Sequence, residues 1–183
     1  LSGKLWTGCE TPVSTTHDGA MVLRGAALKA GRRLMAATPQ LFSPEFRLAS
    51  MARARKKIGT LYDVRIRHGR YVRRDDWQST VKRGGGAAFF AAQEPVLQAL
   101  ALLRTPPVQM WSETKKLIAL GDAEDYVHLT MRNSDGVTAD VEANSADVGA
   151  GDPAIELRGT RGSFFVMPGA TTGTYRIIDP SQR

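Results

Sequence analysis

The stretch DYVHLTMRNSDGVTADVEAN, residues 125–144, decides the fold, because it has the pattern of a complete β-hairpin. Apolar and polar residues alternate on both sides of the segment Asn133–Gly136. A period of two places alternate side chains on opposite faces of a sheet, and Asn, Asp and Gly are typical of tight hairpin turns. We therefore predict two antiparallel strands joined at this segment. Their second, moderately polar face would carry Thr130, Thr138, Asp140 and Glu142.

Further short strands are predicted on both sides of this hairpin, because alternating or apolar runs separated by turn residues continue along the chain. These runs are TLYDVRIRHGRY (60–71), VQMWSETKKL (108–117), AIELRGT (154–160), GSFFVMP (162–168) and GTYRII (173–178). Together they predict a mainly antiparallel open sheet. Phe164 and Phe165 are adjacent, so one of them is expected to be exposed unless a partner covers it.

The apolar stretch GGGAAFFAAQEPVLQALALL, residues 84–103, predicts one long helix packed on a face of this sheet. Pro95 lies inside the stretch and should either bend the helix or mark its start. Polar residues also interrupt it, so no uninterrupted apolar run reaches the roughly 18 residues that a membrane span needs. We therefore expect no membrane span.

The N-terminal part of the chain has a different pattern, in which strands and helices alternate. Its predicted elements are a strand running into a loop (GKLWTGCETPVSTT, 3–16), a helix (HDGAMVLRGAALKAG, 17–31), a strand (RRLMAA, 32–37) and a helix from Pro44 to about Lys57. Ser43 before Pro44, and the Ser and Thr residues before the first helix, are suitable caps. The chain thus divides into residues 1–58 and 59–183, and the predicted fold class is α/β (α+β).

The composition of the chain suits a globular protein, since 42% of its 183 residues are hydrophobic. The net charge of +7 permits contact with nucleic acid or an acidic partner, although the basic run Arg53–Lys57 equally suits a helix end. Cys9 cannot form an internal disulfide, which favours a reducing compartment such as the cytoplasm or an organelle matrix. The histidines His17, His68 and His128 match no zinc-binding spacing, so we expect no metal site.

The order of the segments resembles the Gfo/Idh/MocA family of NAD(P)-dependent oxidoreductases. The motifs that carry the resemblance are GKLWTGCETP (3–12), FSPEF (42–46), KKIGTLYDVRIRHGR (56–70), DDWQSTVKRGGG (75–86), GDAEDYVHLTMRNSDGVTADVEAN (121–144) and IELRGTRGSFFV (155–166). The resemblance implies that residues 1–58 are a remnant of a Rossmann-like dinucleotide-binding domain and that residues 59–183 are the sheet domain. It also implies that the outer face of the sheet pairs with a protein partner or with a second copy.

The reactive positions of the family are occupied by other residues in this chain. The Lys of the family's Glu-Lys-Pro triplet is replaced by Thr11, which supplies no cation. The family's Asp and His on the glycine-rich helix are replaced by Phe90, which cannot titrate, and by Glu94. Glu94 either accepts a proton with a lower intrinsic pKa than imidazole or is a carboxylate at a helix start. We therefore predict degenerate positions at residues 11, 90 and 94 and no confident catalytic residue.

The resemblance to the family also leads to an expectation about the cofactor. No G-x-G-x-x-G fingerprint occurs in the sequence, so we expect no cofactor in this chain alone. If a nucleotide-binding half is present, the cofactor is NAD(P), and Glu10 and Pro12 would lie beside it. Three functions remain open: a non-catalytic relative (a pseudoenzyme) acting as a structural or interaction subunit through its sheet, an active NAD(P)-dependent oxidoreductase whose nucleotide half is absent from this chain, and a basic binding module.

Overall fold

The computed structural model describes residues 6–149, 151–179 and 181, and it confirms the predicted α/β (α+β) class. The chain forms two compact units, Leu1–Pro39 and Gln40–Arg183. Residues 3–5 of the predicted first strand lie outside the described residues. The boundary predicted between residues 58 and 59 separates the part that resembles a dinucleotide-binding domain from the part that resembles the sheet domain. It stays a prediction.

The first unit consists of strand β1 (Trp6–Glu10), helix α1 (His17–Lys29) and strand β2 (Arg33–Ala37). The two strands pair in parallel, from Trp6 opposite Arg33 to Glu10 opposite Ala37. The hydroxyl of Thr16 caps α1 by accepting a hydrogen bond from the Gly19 amide at 3.1 Å. No described residue of this unit is buried, and its large exposed apolar side chains are Trp6, Met21, Val22, Leu23, Leu28 and Met35.

The second unit is built on a seven-stranded sheet, and the strands predicted from residue 60 onward are confirmed. They are β3 (Leu61–Gly69), β4 (Pro107–Lys115), β5 (Tyr126–Asn133), β6 (Thr138–Asn144), β7 (Ile155–Gly159), β8 (Gly162–Val166) and β9 (Thr174–Ile177). Their order across the sheet is β4-β5-β6-β3-β7-β8-β9. The β3–β6 pair is parallel and the other neighbouring pairs are antiparallel, as the prediction of a mainly antiparallel sheet requires.

The helices of this unit differ in detail from the predicted ones. Helix α2 spans Pro44–Arg55, shorter than predicted, because Lys56 adopts the left-handed conformation (φ 52°) that ends a helix. The single helix predicted after the glycine triplet is divided in the structure, and Pro95 marks the start of its second part, which is one of the two outcomes predicted for that residue. The two helices are α3 (Ala87–Phe90) and α4 (Gln93–Leu103). Pro95 lies in the first turn of α4, where its missing N–H removes no helical hydrogen bond.

The main core lies between one face of the sheet and helices α2 and α4. Its fully buried members are mostly aliphatic side chains and small residues that let the helices approach the strands: Ala49, Ala52, Ile58, Val64, Ile66, Ala99, Leu102, Leu103, Met131, Ala139, Val141, Ile155, Leu157 and Val166. Burial of each large aliphatic side chain contributes about 1.5–3 kcal/mol. Residues Val81–Leu103 are apolar and long enough, by composition, to cross a membrane. In this structure the segment is divided into separate helices, and α4 contributes to the core.

The opposite, open face of the sheet carries oppositely charged neighbours on adjacent strands. Arg65 lies opposite Asp140 of β6 and Glu156 of β7, and Arg67 lies opposite Glu142. The Arg65 Nε also donates to the Asp63 carboxylate at 3.0 Å. Burial raises the pKa of Asp63, and the charge of Arg65 opposes that shift. This arrangement makes the open face a largely self-neutralised surface.

The two adjacent phenylalanines occupy opposite faces, as predicted. Phe164 is buried in the core beside Tyr175, with a ring centroid distance of 4.9 Å. Phe165 is half-buried, because the guanidinium of Arg176 on β9 lies 4.8 Å from its ring centroid. A neighbouring strand of the same chain therefore covers Phe165, and no partner is needed for that purpose.

Candidate functional site

A cleft of about 770 Å³ opens in the second unit beside the helix-facing side of the sheet. The end of β3, the first turns of α2 and α4, and α3 contribute to its walls. The side chains that give the cleft its character are Glu45, His68, Phe90, Glu94, Gln98 and Glu124. A concave site with a few convergent polar groups is typical of small-molecule binding.

The alternation of strand β3 places His68 in this cleft. Val64 and Ile66 lie in the core, and a period of two puts His68 on the same face, at the end of the strand. Helices α2 and α4 both begin beside this strand end, and each carries a glutamate in its first turn, Glu45 and Glu94 respectively. At this end of the cleft, one half-buried imidazole therefore lies on the same wall as the carboxylates of Glu45 and Glu94.

The electrostatic environment of His68 favours its neutral form. Burial lowers the pKa of His68, while the negative charges of Glu94 and Glu45 partly oppose that effect and the charge of Arg70 adds to it. A neutral imidazole has one nitrogen that donates a hydrogen bond and one that accepts. The cleft therefore offers a hydrogen-bond acceptor at His68 and further acceptors on the two carboxylates.

The predicted degenerate positions 90 and 94 both line the cleft. The ring of Phe90 packs edge-on against Trp77, at a centroid distance of 4.8 Å, and against Phe89, at 5.3 Å. Position 90 therefore forms an apolar wall. Glu94 is half-buried, and within the described residues its carboxylate makes no hydrogen bond or ion pair, although its charge acts on His68. Its carboxylate is thus available to a ligand.

The other predicted residues lie in the first unit. The Thr11 hydroxyl donates to the Ala37 carbonyl oxygen at 3.0 Å, so it joins the ends of β1 and β2. Glu10 is the last residue of β1 and is exposed, and the Thr11–Pro12 peptide bond is cis. The hydroxyl of Thr11 therefore has a structural hydrogen bond.

The glycine triplet that precedes α3 has a steric function. A Cβ atom on Gly85 would collide with the Gln78 carbonyl oxygen. Gly86 has φ +121°, and a Cβ atom there would collide with the Glu124 carboxylate. That carboxylate accepts a hydrogen bond from the Ala88 amide at 3.1 Å. The triplet therefore lets α3 begin directly against Glu124.

The first turns of the three long helices do not provide a site for the pyrophosphate of a dinucleotide. Such a site uses a helix N-terminus whose amides face an anion. The long helices α1, α2 and α4 each have an acidic residue in the first turn, namely Asp18, Glu45 and Glu94. These carboxylates occupy the positive helix ends and would repel a phosphate. Within the described residues, no group of three or more His, Cys, Asp or Glu side chains is placed to hold a metal ion.

From the sequence, His68 was considered as a metal ligand, and Glu45 was not singled out. The structure brings both into the cleft beside Glu94. The signal that could have found His68 is the alternation Val64–Ile66–His68, which continues the core-facing side of β3 to the strand end. No pattern in the sequence brings Glu45 and Glu94 together, because they belong to helices separated by the whole of β3.

Comparisons with known proteins agree with this architecture. The GFO/IDH/MocA C-terminal domain matches residues 46–165. The NAD-binding protein from Listeria innocua is 19% identical, with a TM-score of 0.83 over 92% of this chain and 48% of that chain. An NAD binding oxidoreductase from Klebsiella pneumoniae is 18% identical, with a TM-score of 0.74 over 93% of this chain and 53% of that one.

A third similar structure is the WlbA dehydrogenase from Chromobacterium violaceum, solved in complex with NADH and UDP-GlcNAcA. It is 19% identical, with a TM-score of 0.75 over 97% of this chain and 53% of that chain. No curated protein sequence matches the chain. The chain spans about half the length of these structures. Because the family domain covers residues 46–165 of 183, this chain belongs to the Gfo/Idh/MocA family of oxidoreductases.

Proposed function

We propose that this chain forms the ligand-side half of an NAD(P)-dependent oxidoreductase and binds a hydroxyl-rich ligand in its cleft. The observation that carries the proposal is the cleft of about 770 Å³ in which His68 faces the first turns of two helices. A chain that had lost all ligand contact would have no requirement for unpaired polar groups in a half-buried site.

The chemistry of the cleft favours a ligand that donates hydrogen bonds. The carboxylates of Glu94 and Glu45 only accept, and the neutral imidazole of His68 adds another acceptor. Hydroxyl groups of a sugar or polyol are suitable donors. The Chromobacterium violaceum relative was solved with a nucleotide sugar, UDP-GlcNAcA, which supports the same ligand class for this chain.

The first unit supports a nucleotide-binding half as the missing component. Parallel sheets are normally covered on both faces, and two strands alone are marginal. Yet, within the described residues, β1 and β2 pair only with each other, and α1 has no buried residue. Further strands and helices that cover α1 and extend this sheet would complete a dinucleotide-binding fold. The NAD(P) would then be held by that half.

The test is calorimetric titration of the 183-residue chain with myo-inositol, glucose and UDP-N-acetylglucosamine. At least one of these probes should bind saturably. Ala91→Trp, which fills the cleft, should abolish binding, whereas Ala101→Trp on the exposed side of α4 should not. Absence of binding by all probes, or equal binding by both variants, would contradict the proposal.

A second candidate is a non-catalytic subunit that acts through the open face of its sheet, with a second copy as partner. Two observations favour it. Phe90 is packed into an aromatic wall where the family has an acid, and the Thr11 hydroxyl is bonded to a carbonyl where the family has a lysine. This candidate predicts a dimer that Thr138→Arg on the open face dissociates and that Val81→Arg elsewhere leaves intact. Light scattering after size-exclusion chromatography measures both, and a monomeric wild type would exclude this candidate.

A further inference from the structure

We propose that His68 and Glu94 form a coupled pair that binds a ligand hydroxyl, with Glu45 as a positioning carboxylate, so that protonation of His68 controls ligand binding. This inference rests on the proposed function and assigns the ligand contact to an imidazole on a strand.

Three elements converge on the pair. His68 is on β3, Glu94 is in the first turn of α4, and Glu45 is in the first turn of α2. All three line the same cleft, and all three are half-buried. An Oε1 atom of Glu45 accepts a hydrogen bond from the Gly169 amide at 2.8 Å, which fixes that side chain beside the cleft. The geometry therefore combines one anchored carboxylate with one that has no hydrogen-bond donor among the described residues.

Most other charged groups in the cleft wall are already engaged. Their partners are Asp152 for Arg67 at 3.1 Å, Asp76 for Arg74 at 2.6 Å, the Ala88 amide for Glu124, the Gly149 amide for Asp147, and the amides of residues 117–119 for Asp125. Arg70, which follows β3, is exposed and acts on His68 through its charge. The groups left to meet a ligand are thus concentrated at His68 and Glu94.

The protonation state of His68 decides what the pair can bind. Burial lowers the pKa of His68, so at neutral pH its imidazole can accept a hydrogen bond from a hydroxyl while Glu94 accepts from another. After protonation both ring nitrogens donate, and the imidazolium is attracted to Glu94 and Glu45. The acceptor at His68 is then lost, and the positive charge of the imidazolium partly offsets the negative charges of the carboxylates. Affinity for a hydroxyl-rich ligand should therefore fall as the pH falls through the pKa of His68.

The coupling is tested without a ligand, by following the imidazole resonances of the whole chain by NMR as the pH changes. His68→Gln identifies the His68 signal by its loss. Glu94→Gln should lower the pKa of His68, because the negative charge that stabilises the imidazolium is removed. Glu113→Gln, on β4 beside Lys115, is the matched control and should leave it unchanged. If the titration of His68 does not respond to Glu94→Gln, the pair does not exist.

Ligand binding provides the second arm of the test. The probe that binds most tightly among myo-inositol, glucose and UDP-N-acetylglucosamine should bind about tenfold more weakly at pH 5 than at pH 8, as loss of a strong hydrogen bond requires. Glu94→Gln should weaken binding at pH 8, and His68→Gln should remove the pH dependence. Binding that is independent of pH would overturn the pair and leave the proposed function standing. If the pKa of His68 responds to Glu94→Gln but no probe binds, the proposed function is overturned. The ligand role of the pair is overturned with it.

Discussion

The two helices α1 and α4 show how differently the two units of the molecule are built. Helix α1 has 13 residues, including several large apolar ones, and none is buried. Helix α4 has 11 residues and buries Pro95, Gln98, Ala99, Leu102 and Leu103. The difference lies in the sheets that the helices accompany. The seven-stranded sheet provides a wide apolar face, whereas the two-stranded sheet of the first unit does not.

This contrast shows that a helix can have all its local capping signals while its apolar side chains stay exposed. Helix α1 has its cap at Thr16, an acidic residue in its first turn and a left-handed glycine, Gly31, just after its end. These local signals specify a helix regardless of what covers it. Its apolar side chains, however, stabilise the fold only where another layer removes them from water.

The largest expected effect comes from a matched pair of leucines. Leu102→Ala in α4, where the side chain is 2% exposed, should lower the free energy of unfolding by about 2–5 kcal/mol. Leu28→Ala in α1, where the side chain is 67% exposed, should change it by less than about 0.5 kcal/mol. Urea denaturation of both variants measures the difference. A large cost at Leu28 would show that α1 is covered in solution and would break the contrast between the units.

A matched pair of glycines should give effects of opposite sign. Gly86→Ala must place a Cβ atom at φ +121° and against the Glu124 carboxylate, so it should destabilise the protein by about 1–3 kcal/mol. Gly25→Ala, inside α1 with open space around it, should stabilise its helix by roughly 0.5–1 kcal/mol. Thermal unfolding reports both changes. A neutral Gly86→Ala would contradict the steric function given to the triplet.

The pH dependence of stability should distinguish the cleft from the rest of the second unit. The pKa of His68 is lower in the folded protein than the ordinary value of 6.5, so the unfolded chain binds the proton more readily. Stability should therefore fall as the pH decreases below about 6.5 and level off below the folded pKa. In His68→Gln, the urea midpoint should change less between pH 7.5 and pH 5 than it does in the wild type. His17→Gln, in the exposed first turn of α1, should leave this change as it is in the wild type. An unchanged slope in His68→Gln would mean that His68 is solvated.

The smallest effect is expected at the cover of Phe165. Arg176→Gln removes the guanidinium that lies 4.8 Å from the ring centroid and should cost about 0.5–1 kcal/mol. Arg73→Gln, in an exposed segment, is the control and should be neutral within error. Urea denaturation is again the measurement. If Arg176→Gln does not lower the stability, Arg176 does not cover Phe165. A partner on the open face would then be favoured as its cover.

The sequence predicted those features that depend on neighbours close in the chain. The caps at Thr16 and Ser43, the hairpin turn at Asn133–Gly136 and the strands after residue 60 all depend on such neighbours. The break between α3 and α4 was predicted only as one of two outcomes at Pro95, because the apolar run continues through Ala91 and Ala92.

The site itself was only half predictable. Positions 90 and 94 were placed by resemblance to the family, and both line the cleft. The place of His68 in the cleft depends on the meeting of a strand with the first turns of two helices. That meeting is a property of the packing, and no spacing in the sequence encodes it.

The most direct measurement is a comparison of two histidines of the second unit during ligand addition. His68 lies in the cleft, and His128 lies on the open face, with its Nε2 atom 3.5 Å from the Asp140 carboxylate. When a hydroxyl-rich ligand is added at pH 8, the NMR resonances of His68 should shift and those of His128 should stay in place. A shift at His128 with none at His68 would contradict the account.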